Sequence, residues 1–394
     1  MSEAKLTCAA MPLRADNSLY ALVIGSREGM NSLLGSRSER LERRIDADEW
    51  ALRADVRCLI GDEGAAVSAE DDDSEAPRTL AGMAVRMLYA RYQRKLPGWT
   101  LLPCAPVLHN GQHLAEAMIA CAVRWKLPAD FLRWLVTDNA CCSTVTDCAQ
   151  WLIETEKPLP VQEAADSIVY VKSLAPYVRR NQWMLGGAGV LTAAAGLLCG
   201  HETVGAAMRD EGFRALLGNA LIREIAPSLP ELGEDGLAYA ARVTAFLENA
   251  CGEEGWPAVG ENLIARFTAC VLPALVGYEK RQAALPPCLC YGLSALIMLY
   301  AGIRKNADSA YVLPAEEKEI PVLDAPNALS AFSRMSCDMP PESLAYAALS
   351  DREVWGCDLR EIDGLEERVA SQLRDMQLLG AKAAMAAAAE QSAE

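Results

Sequence analysis

The sequence predicts a mostly α-helical chain with a small α/β region at its N-terminus and a large helical domain after it. Three observations carry this. Leu19–Gly25 (LYALVIG) and Val56–Gly61 (VRCLIG) are short apolar runs of strand length. From Arg78 onward apolar residues recur at helical spacing. Ala and Leu recur throughout while aromatics make up only 6% of the 394 residues, a composition that favours helices. The expected division is an α/β region over 1–110 and a helical domain over 111–394.

The elements follow in order. After the two apolar strands, residues 62–77 hold seven acidic side chains in a Ser/Ala background, the composition of a solvated loop. Leu80, Met83, Met87, Leu88 and Tyr92 share one face of a helix that stops before Pro97-Gly98. Thr100–Pro103 reads as a further strand, Gly111–Lys126 as a helix, and Pro128 opens the next, which runs to Asn139. Ser143 or Thr144 is placed to cap another helix ending near Glu156, and Ile168–Val171 reads as a short strand. Helices are expected at about 184–199, 202–209, 211–226, 236–250, 257–280, 284–303 and 358–378, with a Pro-rich surface excursion over 308–340. The Ala-rich tail after Gly380 either extends the last helix or frays.

Charge and composition exclude several function classes. Hydrophobic residues are 52% and charged residues 23%, so a sizeable core can form. The formal net charge of −16 repels phosphate backbones, and nucleic acid is not an expected partner. Met184–Gly200 and Cys288–Ile303 are apolar but shorter than the ~20 residues a bilayer core demands, so they read as buried helices. No charged-then-apolar signal follows Met-Ser-Glu-Ala-Lys, which points to the cytoplasm. The 14 Cys are scattered, many of them inside apolar runs (Cys121, Cys199, Cys270, Cys290), as reduced core thiols would be. With only three His, and Cys288 and Cys290 one residue apart, the ligand spacing of a metal site is missing. Gly187-Ala188-Gly189 imitates the start of a dinucleotide loop, but Thr192 replaces the third Gly and no strand precedes it.

Several segments, taken in order, resemble the long-chain mannitol dehydrogenase family of polyol and uronate dehydrogenases, and within it the tagaturonate reductase branch. They are Leu88–Arg94 (LYARYQR), Leu101–Gly111 (LLPCAPVLHNG), Trp125–Trp134 (WKLPADFLRW), Ser143–Asp147 (STVTD), Cys199–Met208 (CGHETVGAAM), Arg223–Pro227 (REIAP) and Ala269–Tyr278 (ACVLPALVGY). The resemblance implies a helical C-terminal domain like that family's and a truncated Rossmann-like remnant before it. It also implies NAD and hydride transfer to or from a sugar alcohol or acid.

The family's chemistry rests on a segment Lys-x4-Asn-x2-His: the Lys is the general base, and Asn and His polarise the oxygen. On this chain those positions fall on Asn181, Gly186 and Gly189. An amide has no useful basicity and glycine has no side chain, so the resemblance identifies a degenerate member. Shifting the register puts Arg180 at the base position, but a guanidinium stays protonated. Ala105 and Pro106 precede Asn110-Gly111 where relatives are polar, Cys148 stands where Arg is usual, and Arg266 and Cys270 replace a later Lys and Arg. The polar positions that remain are Glu63, Asn110, Asp147, Asn249 and Asn262.

Asn110, Asp147, Arg180 and Asn262 are therefore the expected residual pocket, though each has a plain structural reading as a turn, cap or helix-end residue. Two functions compete. One is a protein that keeps the scaffold without hydride transfer, needs no cofactor, and binds a uronate-like molecule or an active paralogue. The other is an active NAD-dependent oxidoreductase on a hexuronate or polyol, with Lys172, Tyr177 or Arg180 taking over. An incomplete sheet leaves an edge that a partner chain or the acidic loop would cover, so an oligomer is also expected.

Overall fold

The computed structural model describes residues 6–393 apart from 15, 27–29, 31–34, 62–70, 73, 106, 149, 158, 160, 162–167, 230–234, 250–260 and 314–318. It divides into two compact units, Met1–Val178 and Arg179–Glu394. Position 110, the expected boundary, lies inside the first unit, because the helix that starts there packs on the sheet.

The first unit is built on a five-stranded sheet in the order β1 to β5: β1 (Thr7–Pro12), β2 (Tyr20–Gly25), β3 (Val56–Gly61), β4 (Thr100–Pro103) and β5 (Ala140–Cys141). β1 runs antiparallel to β2, and the other neighbours are parallel. The central parallel strands are mostly apolar because both faces are covered, with Arg57 of β3 exposed near its start. Leu22, Ile24, Leu59 and Leu101 face one cluster with the helices α1 (Ala47–Ala51), α2 (Leu80–Gln93), α3 (Asn110–Arg124) and α4 (Ala129–Thr137). Ala21, Val23, Cys58, Ile60 and Leu102 face the other, which includes Trp151, Ile153 and Ile168.

Those last residues belong to a second sheet, β6 (Thr144–Thr146), β7 (Trp151–Glu154) and β8 (Ile168–Val171). The helix expected from Ser143 to Glu156 is thus two antiparallel strands. Thr144, Val145 and Thr146 are β-branched and stiff, and Trp151, Leu152 and Ile153 pack on two faces, so strand pairing prevails over a plausible cap. The acidic stretch also differs from expectation. Asp71 is buried, and its Oδ2 accepts the N–H groups of Arg78 at 2.5 Å and Thr79 at 2.8 Å at the entry to α2. Glu63 lies outside the described residues.

The second unit is helical. α5 (Ala175–Arg180) leads into a wide π-type turn, Asn181–Gly186, and then α6 (Gly187–Leu198). α7 (Val204–Arg209) and α8 (Glu211–Asn219) follow, with a second π-type turn at Ala220–Ile225. Next come α9 (Asp235–Asn249), α10 (Leu263–Cys270), α11 (Leu272–Gln282) and α12 (Pro287–Ala301). The single helix expected over 257–280 is broken at Val271, ahead of Pro273, whose missing N–H cannot continue the ladder. α12 is buried on all sides, which explains its uninterrupted apolar sequence. Among the described residues no helix is long and apolar enough to cross a membrane.

The 308–340 excursion has structure of its own: β9 (Arg304–Lys305), β10 (Tyr311–Leu313) and β11 (Ile320–Pro321) form a small sheet, and α13 (Pro326–Phe332) follows. α14 (Pro341–Leu349), α15 (Arg352–Trp355) and α16 (Leu365–Leu379) precede a break at Gly380. There φ is +87°, and the tail continues as α17 (Ala381–Ala393). That tail does not fray: Ala384, Met385, Ala388 and Ala389 are buried.

Candidate functional site

The π-type turn sets the candidate site in the second unit. Such turns widen a helix locally and recur at functional positions. Asn181 opens the turn, and its Oδ1 accepts the hydroxyl hydrogen of Tyr239 at 2.8 Å. Tyr239 is fully buried on α9. The buried guanidinium of Arg180 stacks on the same ring at 3.8 Å, and that of Arg242 lies 5.3 Å from it. A cation held flat against an aromatic face is fixed in place rather than available as a proton acceptor.

Gly186 and Gly189 present no side chains, and α10 fills the room beside them. A Cβ on Gly186 would meet Cys270 Sγ at 2.8 Å, and one on Gly189 would meet Arg266 Nη2 at 2.9 Å. Arg266 and Cys270, four residues apart on α10, share a helix face that meets the two glycines three residues apart. Burial pushes the Cys270 thiol up, against the smaller downward pull of Arg266, so it stays protonated. Asn262 starts α10 in the left-handed region at φ +53°. Its N–H donates to Leu323 O at 2.7 Å and its carbonyl accepts from Arg266 N–H at 2.9 Å, which makes it a helix-entry residue.

Two predicted residues lie in the first unit. Asn110 is buried at the start of α3; its Nδ2 donates to Ala105 O at 2.7 Å and Thr144 O at 2.6 Å, and its Oδ1 accepts from Thr144 N–H at 3.0 Å. It mimics a strand partner and ties α3 to β6. Asp147 closes the β6–β7 turn, accepting from Gln150 N–H at 2.7 Å. Asn249 ends α9, with Nδ2 donating to Ala245 O at 2.8 Å. Tyr239 was not singled out in the sequence, where it is one apolar-face residue of a helix among many.

No protein-family model matches the chain. Altronate oxidoreductase of Yersinia enterocolitica is 27% identical over an alignment spanning 95% of this chain and 87% of that protein. The Enterobacter enzyme of the same name is 28% identical over 82% and 74% respectively. This chain is similar to altronate oxidoreductases over most of its length. Its fold agrees: a D-sorbitol dehydrogenase structure superposes with a TM-score of 0.63 at 15% identity, covering 86% of this chain and 76% of that one. Mannitol 2-dehydrogenase of Pseudomonas fluorescens, solved with NAD and D-mannitol, gives 0.54 at 14% identity over 96% and 82%. The chain thus shares the fold of these sorbitol and mannitol dehydrogenase structures, as the resemblance implies. Among its described residues, no three His, Cys, Asp or Glu converge as a metal site requires.

Proposed function

We propose that this protein, similar to altronate oxidoreductases, has lost hydride transfer and works by binding, as a regulatory or structural relative that takes a uronate-like small molecule or an active paralogue. The observation that carries the reading is how the positions the resemblance assigns to the family's catalytic residues are occupied. Asn181 is engaged by Tyr239, and the room beside Gly186 and Gly189 holds Cys270 and Arg266. Losing one polarising donor costs ~10²–10³ in rate. Here the base and both donors are missing together, which leaves no plausible residual chemistry.

The cofactor reading follows. The one glycine run that imitates a dinucleotide loop, Gly187-Ala188-Gly189, opens α6 directly out of the π-type turn and is buried. It lacks the strand-to-helix turn that would present N–H groups to a pyrophosphate. That run therefore supplies no pyrophosphate loop; the reading assigns no cofactor and keeps the first unit as a truncated Rossmann-like remnant. Its many free thiols suit a reducing cytoplasm.

A second reading, an active NAD-dependent oxidoreductase on a hexuronate or polyol, draws on the likeness to altronate oxidoreductases across nearly the whole chain. It needs a substitute base, and Arg180, stacked under Tyr239, is not one. Titrating NADH into the folded protein while following its fluorescence decides between them. Micromolar binding together with NADH oxidation by tagaturonate supports the enzyme. No binding up to about 1 mM, a free energy weaker than ~4 kcal/mol, supports the binding protein.

A further inference from the structure

The first unit holds a cleft of about 420 Å³ between α3 and the end of α4, bordered by β5. We propose that it binds a small organic amine, a monocation with an apolar body. The assignment does not depend on whether hydride transfer survives, and neither Asn110 nor Asp147 lines the cleft.

The chemistry of the walls selects the ligand. Met118, Ile119, Leu135 and Val136 give the cleft an apolar lining, and Glu154, His109, Ser143 and Cys142 give it polar groups. Glu154 is held by the N–H of Leu174, which donates to its Oε2 at 3.2 Å, and by its own N–H on Ser143 O at 2.9 Å. Ser143 Oγ already accepts the Gly111 N–H at 3.2 Å. No lysine or arginine is among the lining residues, so Glu154 gives the cleft a negative wall. Burial, and then the Glu154 carboxylate, push the Cys142 thiol up, which keeps it neutral.

A half-buried carboxylate in a cleft with an apolar lining is best satisfied by a cation that brings its own apolar surface. An anion would meet both Glu154 and the field of a chain with net charge −16. A neutral alcohol would be accepted without compensating the charge. The volume lies at the small end of the ~300–1,000 Å³ range of ligand clefts, which suits a single-ring amine rather than a dinucleotide.

The test uses the full chain and three probes that share a phenylethyl body, 2-phenylethylamine, 2-phenylethanol and 3-phenylpropionate, by calorimetry or ligand-observed NMR. The amine should bind at least about tenfold more tightly than the other two, a difference of ~1.4 kcal/mol. Glu154→Gln should reduce the amine to the affinity of the alcohol while circular dichroism stays unchanged. Ala115→Phe, which places a ring in the cleft, should abolish binding of all three. If that variant does not fold, Glu154→Gln decides alone. No amine binding up to about 10 mM, equal affinity for amine and acid, or an amine affinity unmoved by Glu154→Gln would each overturn the proposal.

Discussion

The hydroxyl of Tyr239 donates a 2.8 Å hydrogen bond to Oδ1 of Asn181, the residue that the resemblance sets at the family's lysine position. Tyr239 is fully buried, so this bond is its link between a large apolar ring and a polar partner. Replacing Asn181 by Lys removes the acceptor and brings an ammonium beside the Arg180 guanidinium, which already lies on the same ring. Asn181→Lys should therefore destabilise the protein by about 1 kcal/mol or more, the cost of losing a hydrogen bond at a buried ring. It should not produce NADH oxidation with tagaturonate. Thermal melts and a steady-state assay check both halves, and clear turnover from this single change would sink the idea of a dismantled site.

Gly189 and Arg266 are coupled through space. Because Nη2 of Arg266 lies 2.9 Å from where a Cβ on Gly189 would stand, restoring an imidazole there must displace the guanidinium. Gly189→His is expected to cost about 1–3 kcal/mol as overpacking, even though glycine is a poor helix residue. Adding Arg266→Ala should recover most of that loss. Urea unfolding of the two single variants and the double variant forms a cycle whose coupling should exceed about 1 kcal/mol. Additive effects would show that α10 does not fill the old site.

The parts of the fold and site that could be seen in the sequence are those set by local pattern. Leu19–Gly25 is apolar at every position because the strand is covered on both faces, and that pattern is visible without a partner. The missing side chains at Gly186 and Gly189 are equally plain. What fills their room is not, since it depends on the approach of α10, some 80 residues later in the chain. Asn110 shows the same limit: its place at a helix start is local, whereas its exchange of hydrogen bonds with Thr144 spans 34 positions. The stretch after Ser143 misleads because a serine or threonine before an acidic residue resembles a helix cap, while strand pairing to Trp151–Glu154 is a non-local gain. The excursion over 308–340 hides strands of only two or three residues, too short for alternation to show.

Arg91, inside one of the family-like segments, is expected to be a stability residue. It is fully buried, with Nη1 donating to Ala51 O at 2.6 Å and Arg53 O at 2.9 Å, and Nε donating to Pro97 O at 3.0 Å. Its guanidinium also lies 4.9 Å from the Trp99 ring. A lysine ammonium has three donors on one point and cannot span these carbonyls as a planar fork does. Arg91→Lys should lower stability by about 2–4 kcal/mol, because it strands buried acceptors. A urea midpoint within about 0.5 kcal/mol of the wild type would refute this role.

Glu224 makes the stability of the second unit depend on pH in an unusual direction. It sits in the π-type turn Ala220–Ile225, fully buried, and accepts the N–H groups of Cys288 and Leu289 at 2.9 Å each, at the start of α12. Ser392 on α17 donates its hydroxyl to Glu224 Oε1 at 2.7 Å, which pins the C-terminal helix to the same carboxyl group. Burial raises the pKa of Glu224, and this outweighs the donors that favour the charged form. A raised folded pKa means that the native state holds the proton more tightly than the unfolded chain. The stabilisation from this linkage is complete below the ordinary glutamate range and is lost as pH rises through the folded value. Glu224→Gln keeps an acceptor for the helix start but does not titrate. Relative to that variant, the wild type should be at its most stable near about pH 4 and lose ground toward about pH 8. Denaturation of the two proteins in parallel across that range isolates the group from other carboxylates, such as Asp358, whose pKa is lowered to about 2 chiefly by its hydrogen bond with Arg360. Ser392→Ala, by removing a donor, should steepen the trend and cost about 1 kcal/mol. A wild-type-minus-Gln difference that is flat, or that grows with pH, would mean the α12 and Ser392 donors win over burial.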